Sequence, residues 1–282
     1  MNHSGERKYQ LKANRSMSRV ILITGASTGL GAAIGNYLSG KGYKVYGTSR
    51  HIQPGTLSFT TLQMDVGSEA SIQTAVNTIL RQESRIDVLI NNAGLSIAGV
   101  TEHLSLTDVQ QIFDTNVFGV VRTCQAVLPH MRSNGRGLII NISSIGSEMG
   151  LPFRGIYSGS KAAVDRFTEA LRLEVAAYGI QACCLQPGAV HTGINAHRVK
   201  TVLPEGSPYK DSFERGYAAI DASIDHGSSP DIFCPVIEKI INSRYVKRYY
   251  RVGKPIEKLS VILKKYLPEK TYERMIRKYY NT

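Results

Sequence analysis

A doubly wound α/β fold, one parallel sheet covered by helices on both faces in a single domain, is predicted by three observations. Apolar β-branched runs alternate with segments of helical period from residue 19 to 253, a rhythm that builds a parallel sheet. Those runs are apolar at consecutive positions, as strands buried on both faces are. Polar and glycine pairs fall where the runs end, at Thr24-Gly25, Asn91-Asn92, Ser143-Ser144 and Pro187-Gly188, and sheets of this kind hold ligands at the carboxyl ends of their strands.

The elements follow in order. RVILITG (19–25) reads as the first strand, and GAAIGNYLSGKG (31–42) as a helix with Ala33, Ile34, Tyr37 and Leu38 on one face and Gly40 and Gly42 at its end. YKVYGTS (43–49) and SFTTLQMDV (58–66) read as strands. Residues 68–82 carry apolar side chains at 72, 75, 76, 79 and 80, a helix opened by Ser68 as N-cap. IDVLINNAG (86–94) is a strand running into a turn, and 105–132 is one long helix. GLIINISS (137–144) is a strand, 157–179 a helix closed by Gly179, and IQACCLQPG (180–188) the next strand. The rhythm lapses over 189–227, expected to be a substrate loop with a short helix carrying Phe213, Tyr217 and Ile220. A helix over 228–243, with Pro230 near its first turn, and a last strand over 248–253 complete the body.

Composition narrows the function. With 42% apolar and 20% charged residues in 282, the chain is globular in character. The net charge of +12 is not spread evenly: residues 1–19 carry +4, residues 244–282 carry +9, and the body between them carries −1. Basic ends on a neutral body argue against a nucleic-acid groove. The expected organisation is a flexible basic segment over 1–18, a catalytic domain over 19–253 and a basic extension over 254–282. Cys124, Cys183, Cys184 and Cys234 lack metal-ligand spacing, which predicts free thiols in a reducing, cytoplasmic setting and no metal. Neither a secretory signal nor a membrane span is expected, since no apolar stretch approaches 18 residues.

TGASTGLG (24–31) joins a strand to a helix. Gly25 permits a tight turn, Gly29 lets the backbone approach a phosphate, and Gly31 allows close packing of helix on strand. The helix N-terminus then offers free N–H groups to a pyrophosphate. At the end of the second strand a carboxylate would bind a ribose hydroxyl and repel a 2′-phosphate. This chain has Ser49 and Arg50 instead, and a guanidinium matches a phosphate. NADP(H) is therefore expected over NAD(H).

YSGSK (157–161) sets a tyrosine and a lysine on one helix face. An ammonium beside a phenol favours the phenolate, by about 4 kcal/mol at a separation of about 4 Å and an effective dielectric near 20. Ser158, Gly159 and Ser160 are small enough to let ligands approach that face. Asn116 sits mid-helix, where an amide fits poorly.

With these motifs the chain resembles the short-chain dehydrogenase/reductase family, whose fold is of the Rossmann type. The likeness runs from about 18 to 253 and rests on TGASTGLG, MDV (64–66), NNAG (91–94), DTNVFG (114–119), NISS (141–144), YSGSK and QPGAVHT (186–192). It implies a catalytic set of Asn116, Ser144, Tyr157 and Lys161, with Ser143 structural. Tyr157 would act as general acid/base, Lys161 would also hold the nicotinamide ribose, and Asn116 would hold a water that reconnects Lys161 to solvent. It implies a cofactor site of Gly25, Ser27, Thr28, Gly29, Leu30 and Gly31, then Ser49 and Arg50. Asp65 and Val66 would lie at the adenine, Asn91 along the cofactor with Asn92, Ala93 and Gly94, and Pro187, Gly188, Val190 and Thr192 around the nicotinamide, beside Tyr157 and Lys161. The expected activity is hydride transfer between NADP(H) and a ketone or secondary alcohol. Ile194, Val199, Val202, Leu203, Tyr209, Phe213 and Tyr217, with Ile97, Met149, Leu151 and Phe153, could line an apolar pocket for a steroid, retinoid or lipid-like substrate. The alternative is a cofactor-binding sensor or scaffold without turnover. A homodimer or homotetramer is implied.

Residues 254–280 hold two amphipathic helices: apolar positions 256, 259, 262, 263, 266 and 267, a break at Pro268, then Tyr272, Met275, Ile276 and Tyr279. Three roles are open to them: docking on the substrate loop of the same subunit, ranked first, subunit contact, or peripheral contact with an anionic membrane.

Overall fold

A computed structural model describes residues 18–51, 57–192 and 198–282. The N-terminal basic segment up to 17, and Ile194 in the substrate loop, lie outside the described residues. The strands are β1 Val20–Thr24, β2 Lys44–Ser49, β3 Thr60–Gln63, β4 Val88–Asn91, β5 Ile97–Ala98, β6 Gly137–Ile142, β7 Ile180–Pro187, β8 Val199–Lys200 and β9 Tyr249–Val252. The helices are α1 Gly29–Gly40, α2 Glu69–Glu83, α3 Leu106–Phe113, α4 Gly119–Ser133, α5 Gly155–Val175, α6 Lys210–Asp225, α7 Cys234–Ile241, α8 Pro255–Tyr266 and α9 Glu269–Tyr280.

The main sheet has seven strands in the order β3-β2-β1-β4-β6-β7-β9, and all its pairs are parallel. After β3 the chain returns to the other side of β1. The switch between β1 and β4 opens a crevice at their carboxyl ends.

Strand period explains why β1 is apolar throughout. Val20 and Leu22 point to one face, with Leu89 and Ile139 of the neighbouring strands, and pack on Ile72, Val76 and Ile79 of α2 and on Val127 and Met131 of α4. Ile21 and Ile23 point to the other, and pack on Ile34 and Leu38 of α1 and on Ile237 and Ile240 of α7. These four of the five β1 side chains have no exposure, and each buried aliphatic side chain contributes about 1.5–3 kcal/mol.

Three elements differ from expectation. The long helix over 105–132 is interrupted by a π turn, Asp114–Phe118, which divides it into α3 and α4. The helix over 228–243 begins as a 3₁₀ turn, Pro230–Phe233, before α7. The short helix of the substrate loop is α6, with 16 residues, and β8 in the same loop pairs with β5. All four thiols are free and buried.

Candidate active site

The crevice between β1 and β4 is built largely from main chain. Gly25 has φ +65°, and a Cβ there would stand 2.7 Å from Ala93 Cα. Only glycine lets these two turns meet so closely. Asn92 fixes the contact: its Nδ2 donates to the carbonyls of Thr24 (3.0 Å) and Gly25 (2.7 Å). Thr24 Oγ1 accepts from the N–H groups of Asn92 and Ala93. Gly31 packs against Asn92 and Gly25, and Gly29 faces Thr192. Leu30 packs into the core beside Ala33, while Ser27 and Thr28 reach the surface. The Thr28 side chain makes no capping hydrogen bond, and the first turn of α1 carries no acid. Its N–H groups are thus left for an anion, and a pyrophosphate fits this turn by charge and by dipole.

At the end of β2, Arg50 is exposed and borders a concavity with His51, Gln63, Asp65, Ser71 and Thr74. Ser49 donates its hydroxyl to the His51 carbonyl. Asp65 lies exposed at the same mouth, where its Oδ1 accepts from Gly67 N–H at 2.9 Å. Val66 is buried against Gly119. Asn91 does not lie along the crevice. It sits on the same face of β4 as Leu89, is 3% exposed, donates to Asn141 Oδ1 (2.9 Å) and accepts from Thr123 (2.6 Å). Its side chain belongs to the core, and the expectation of a cofactor contact is corrected.

The remaining residues gather at the ends of β4 and β6. Ser144 follows β6, half-buried, and its Oγ accepts from Gly146 N–H at 3.0 Å as the cap of a 3₁₀ turn, Ile145–Glu148. Ser143 donates to the Lys161 carbonyl at 3.2 Å. Tyr157 lies in the first turns of α5, and the Arg154 guanidinium stands 4.7 Å from its ring centre. One helical turn on, Lys161 is buried and its Nζ donates to the Ile142 carbonyl at 3.0 Å. Asn116 falls inside the π turn and has no exposure. Its Oδ1 accepts from Leu95 N–H (2.7 Å), and its Nδ2 donates to the Leu95 carbonyl and to Ser160 Oγ (both 3.0 Å). A wider turn gives the amide partners that a regular helix denies it. A Cβ on Gly94 would lie 3.3 Å from Asn116 Oδ1 and 3.4 Å from Lys161 Nζ, so both polar atoms flank this glycine.

The 3₁₀ turn after Ser144 is anchored from below. Glu148 accepts from Arg251 (2.6 Å) and Gln186 (2.9 Å). Burial works to raise its carboxyl, but hydrogen bonds from Arg251 and Gln186 outweigh it and hold the group below its usual range. Gln186 also donates to the buried Asp165 at 2.8 Å, which accepts from Ser147 as well.

On the substrate side the expected pocket residues divide between buried and exposed positions. Phe213, Ile97 and Met149 are buried, whereas Val202 is 88% exposed. Phe153 holds φ +61° and stacks edge-on against Phe213, which does the same to Tyr217, with ring centres 5.2 and 5.8 Å apart. Leu151 and Tyr217 stay half-buried. Of the three roles open to the extension, docking on the same subunit is realised. Tyr280 packs with Ala98, Ile220 and Ile224, and Tyr272 with Ile145 and Met149.

Two contributors escaped the sequence reading. Glu257 in α8 accepts from Ala189 N–H at 2.7 Å and from Lys254 N–H at 2.7 Å. A Cβ on Gly188 would stand 2.0 Å from its Oε2, so this carboxylate fits only against glycine and clamps the segment that runs from Pro187 to Val190. The Lys254-to-Glu257 spacing marks a helix start, but nothing local names Ala189 as partner. Burial raises the Tyr280 hydroxyl of α9, and the charge of Arg154, whose guanidinium stands over the Tyr157 ring, works against that rise.

Comparison with known proteins supplies a family. The short chain dehydrogenase family matches residues 19–202. A 3-ketodihydrosphingosine reductase of Bacteroides thetaiotaomicron is 40% identical over 263 residues, covering 93% of this chain and 98% of that protein. Retinol dehydrogenase 8 of Bos taurus is 33% identical, covering 80% of this chain and 78% of its own. A short-chain dehydrogenase of Streptomyces avermitilis superposes with a TM-score of 0.79 at 26% identity, over 93% of this chain and 98% of that one.

Proposed function

The chain belongs to the short chain dehydrogenase family, and from that premise we propose that it is an NADP(H)-dependent reductase of a long-chain ketone, with Tyr157 as proton donor. The gathering of Ser144, Tyr157, Lys161 and Asn116 at the carboxyl ends of β4 and β6 carries this reading. When bound, the reduced nicotinamide supplies a hydride to the carbonyl carbon. The chain's own residues handle the oxygen. Ser144 Oγ and the Tyr157 hydroxyl donate to it as negative charge builds there, and Tyr157 gives up its proton. Lys161 lies one helical turn from Tyr157, where its ammonium can offset the charge that develops on the phenol oxygen as the proton leaves. Because Lys161 Nζ and Asn116 Oδ1 both flank Gly94, one water can bridge them and return a proton to the site.

NADP(H) is favoured over NAD(H) because β2 ends on Ser49 and Arg50 with no carboxylate of its own. The substrate class rests on the likeness to a 3-ketodihydrosphingosine reductase and a retinol dehydrogenase, and on the half-buried Leu151 packed on the turn that follows Ser144. The test is NADPH oxidation over a panel of ketones: 3-ketodihydrosphingosine, retinal, a steroid ketone and a short water-soluble ketone, with NADH as control. Fastest oxidation with the long-chain ketone and NADPH is expected. No oxidation with any of them would remove the reading, and a preference for the short ketone would remove its substrate.

A further inference from the structure

We propose that the outward face of α8 is a docking surface for a bilayer containing anionic phospholipid. This helix is apolar on two sides. Its inner side, with Val261, Leu263 and Leu267, packs on Ile145, Met149 and Tyr272. On its outer side Ile256 is 64% exposed, Leu259 44%, Ile262 55% and Tyr266 73%. At 3.6 residues per turn these four form one continuous stripe. Scattered exposed apolar side chains are ordinary, but a contiguous row marks an interaction surface.

Charge selects the occupant. Lys258 and Lys265 lie along one edge of the stripe and Lys254 at its start, all exposed. Glu257, the acid of this helix, is turned inward on Ala189 N–H. Residues 244–282 together carry +9. A second copy of the chain would set two such basic segments against each other. A nucleic acid would leave the apolar row in water. Apolar side chains edged by lysines match an anionic lipid surface, which takes up both, and Tyr266 suits the headgroup level.

The location bears on the reaction. The inner side of α8 touches the turn that follows Ser144, and Glu257 clamps Ala189, so docking would bring lipid within about one helix diameter, roughly 10–12 Å, of the site. A lipophilic ketone could then reach it without crossing water. That consequence rests on the proposed function; the docking does not.

Flotation of the full chain with vesicles tests it. Binding is expected to vesicles of phosphatidylcholine with phosphatidylglycerol and not to phosphatidylcholine alone, weakening as salt rises. The triple variant Ile256→Ser, Leu259→Ser, Ile262→Ser and the double variant Lys258→Glu, Lys265→Glu should each bind about tenfold or more weakly while melting at the parent temperature. Wild-type chain that stays unbound with anionic vesicles would overturn the proposal, even if it reduces ketones. So would a triple variant that floats like wild type, or a wild-type dimer that the triple variant converts to monomer. A chain that floats but reduces nothing would leave the docking intact and remove the enzyme reading.

Discussion

The two halves of the sheet's carboxyl edge are made differently. Between β1 and β4 the main chain forms the site: a glycine at positive φ, an uncapped helix start and an asparagine that ties two turns together. Around β6 and β7 side chains from distant segments form it. Glu257 reaches Ala189, Lys264 reaches the Glu148 carbonyl and Tyr272 reaches Met149. A half made of main chain offers charge to any dinucleotide of the right shape. The second half is held by contacts from the chain's own extension.

Substitutions can sharpen or break that contrast. Lys161→Met should have the largest effect, because on the proposed reading Lys161 serves both halves. It removes, on that reading, the cation that supports Tyr157 and a charge-assisted hydrogen bond to cofactor, so kcat/KM is expected to fall by about 10³–10⁵-fold in steady-state assays. Next comes Tyr272→Ala in the extension. It leaves a cavity against Met149 and Ile145 and should cost on the order of 3 kcal/mol in urea unfolding; a change near zero would show that the second half does not need its cover. Arg50→Glu should act on the first half alone, lowering the preference for NADPH over NADH by about 10- to 100-fold, the worth of a charge-assisted hydrogen bond. The thiols should do least. Burial pushes Cys124 and Cys183 up to about 12, well above pH 8, so an aromatic disulfide reagent should label neither at that pH until the chain is unfolded.

The first half was legible in the sequence because a strand, a glycine turn and a helix start are written in consecutive residues. The apolar runs gave the sheet for the same reason. Asn91 was readable too, and was misplaced: strand period puts it on the face of Leu89, and its register partner across the sheet is Asn141, so a core pair follows from alternation alone. The π turn was not readable, since one extra residue per turn leaves no mark in composition; the amide at Asn116, awkward in a regular helix, was the only trace. The extension was legible as two helices that dock on the same subunit, but not in the contacts by which they dock. Its period shows that α8 is amphipathic, but which of two apolar sides meets the fold depends on partners more than 100 positions away, as the bond from Lys264 to the Glu148 carbonyl illustrates.

The most direct measurement pairs turnover with cofactor binding in one preparation of Tyr157→Phe. A kcat lower by about 10²–10⁴-fold with NADPH affinity unchanged is the expected result, since the ring and its contact with Arg154 remain and only the hydroxyl is gone. Turnover equal to wild type would contradict it, and would take the reaction away from this tyrosine.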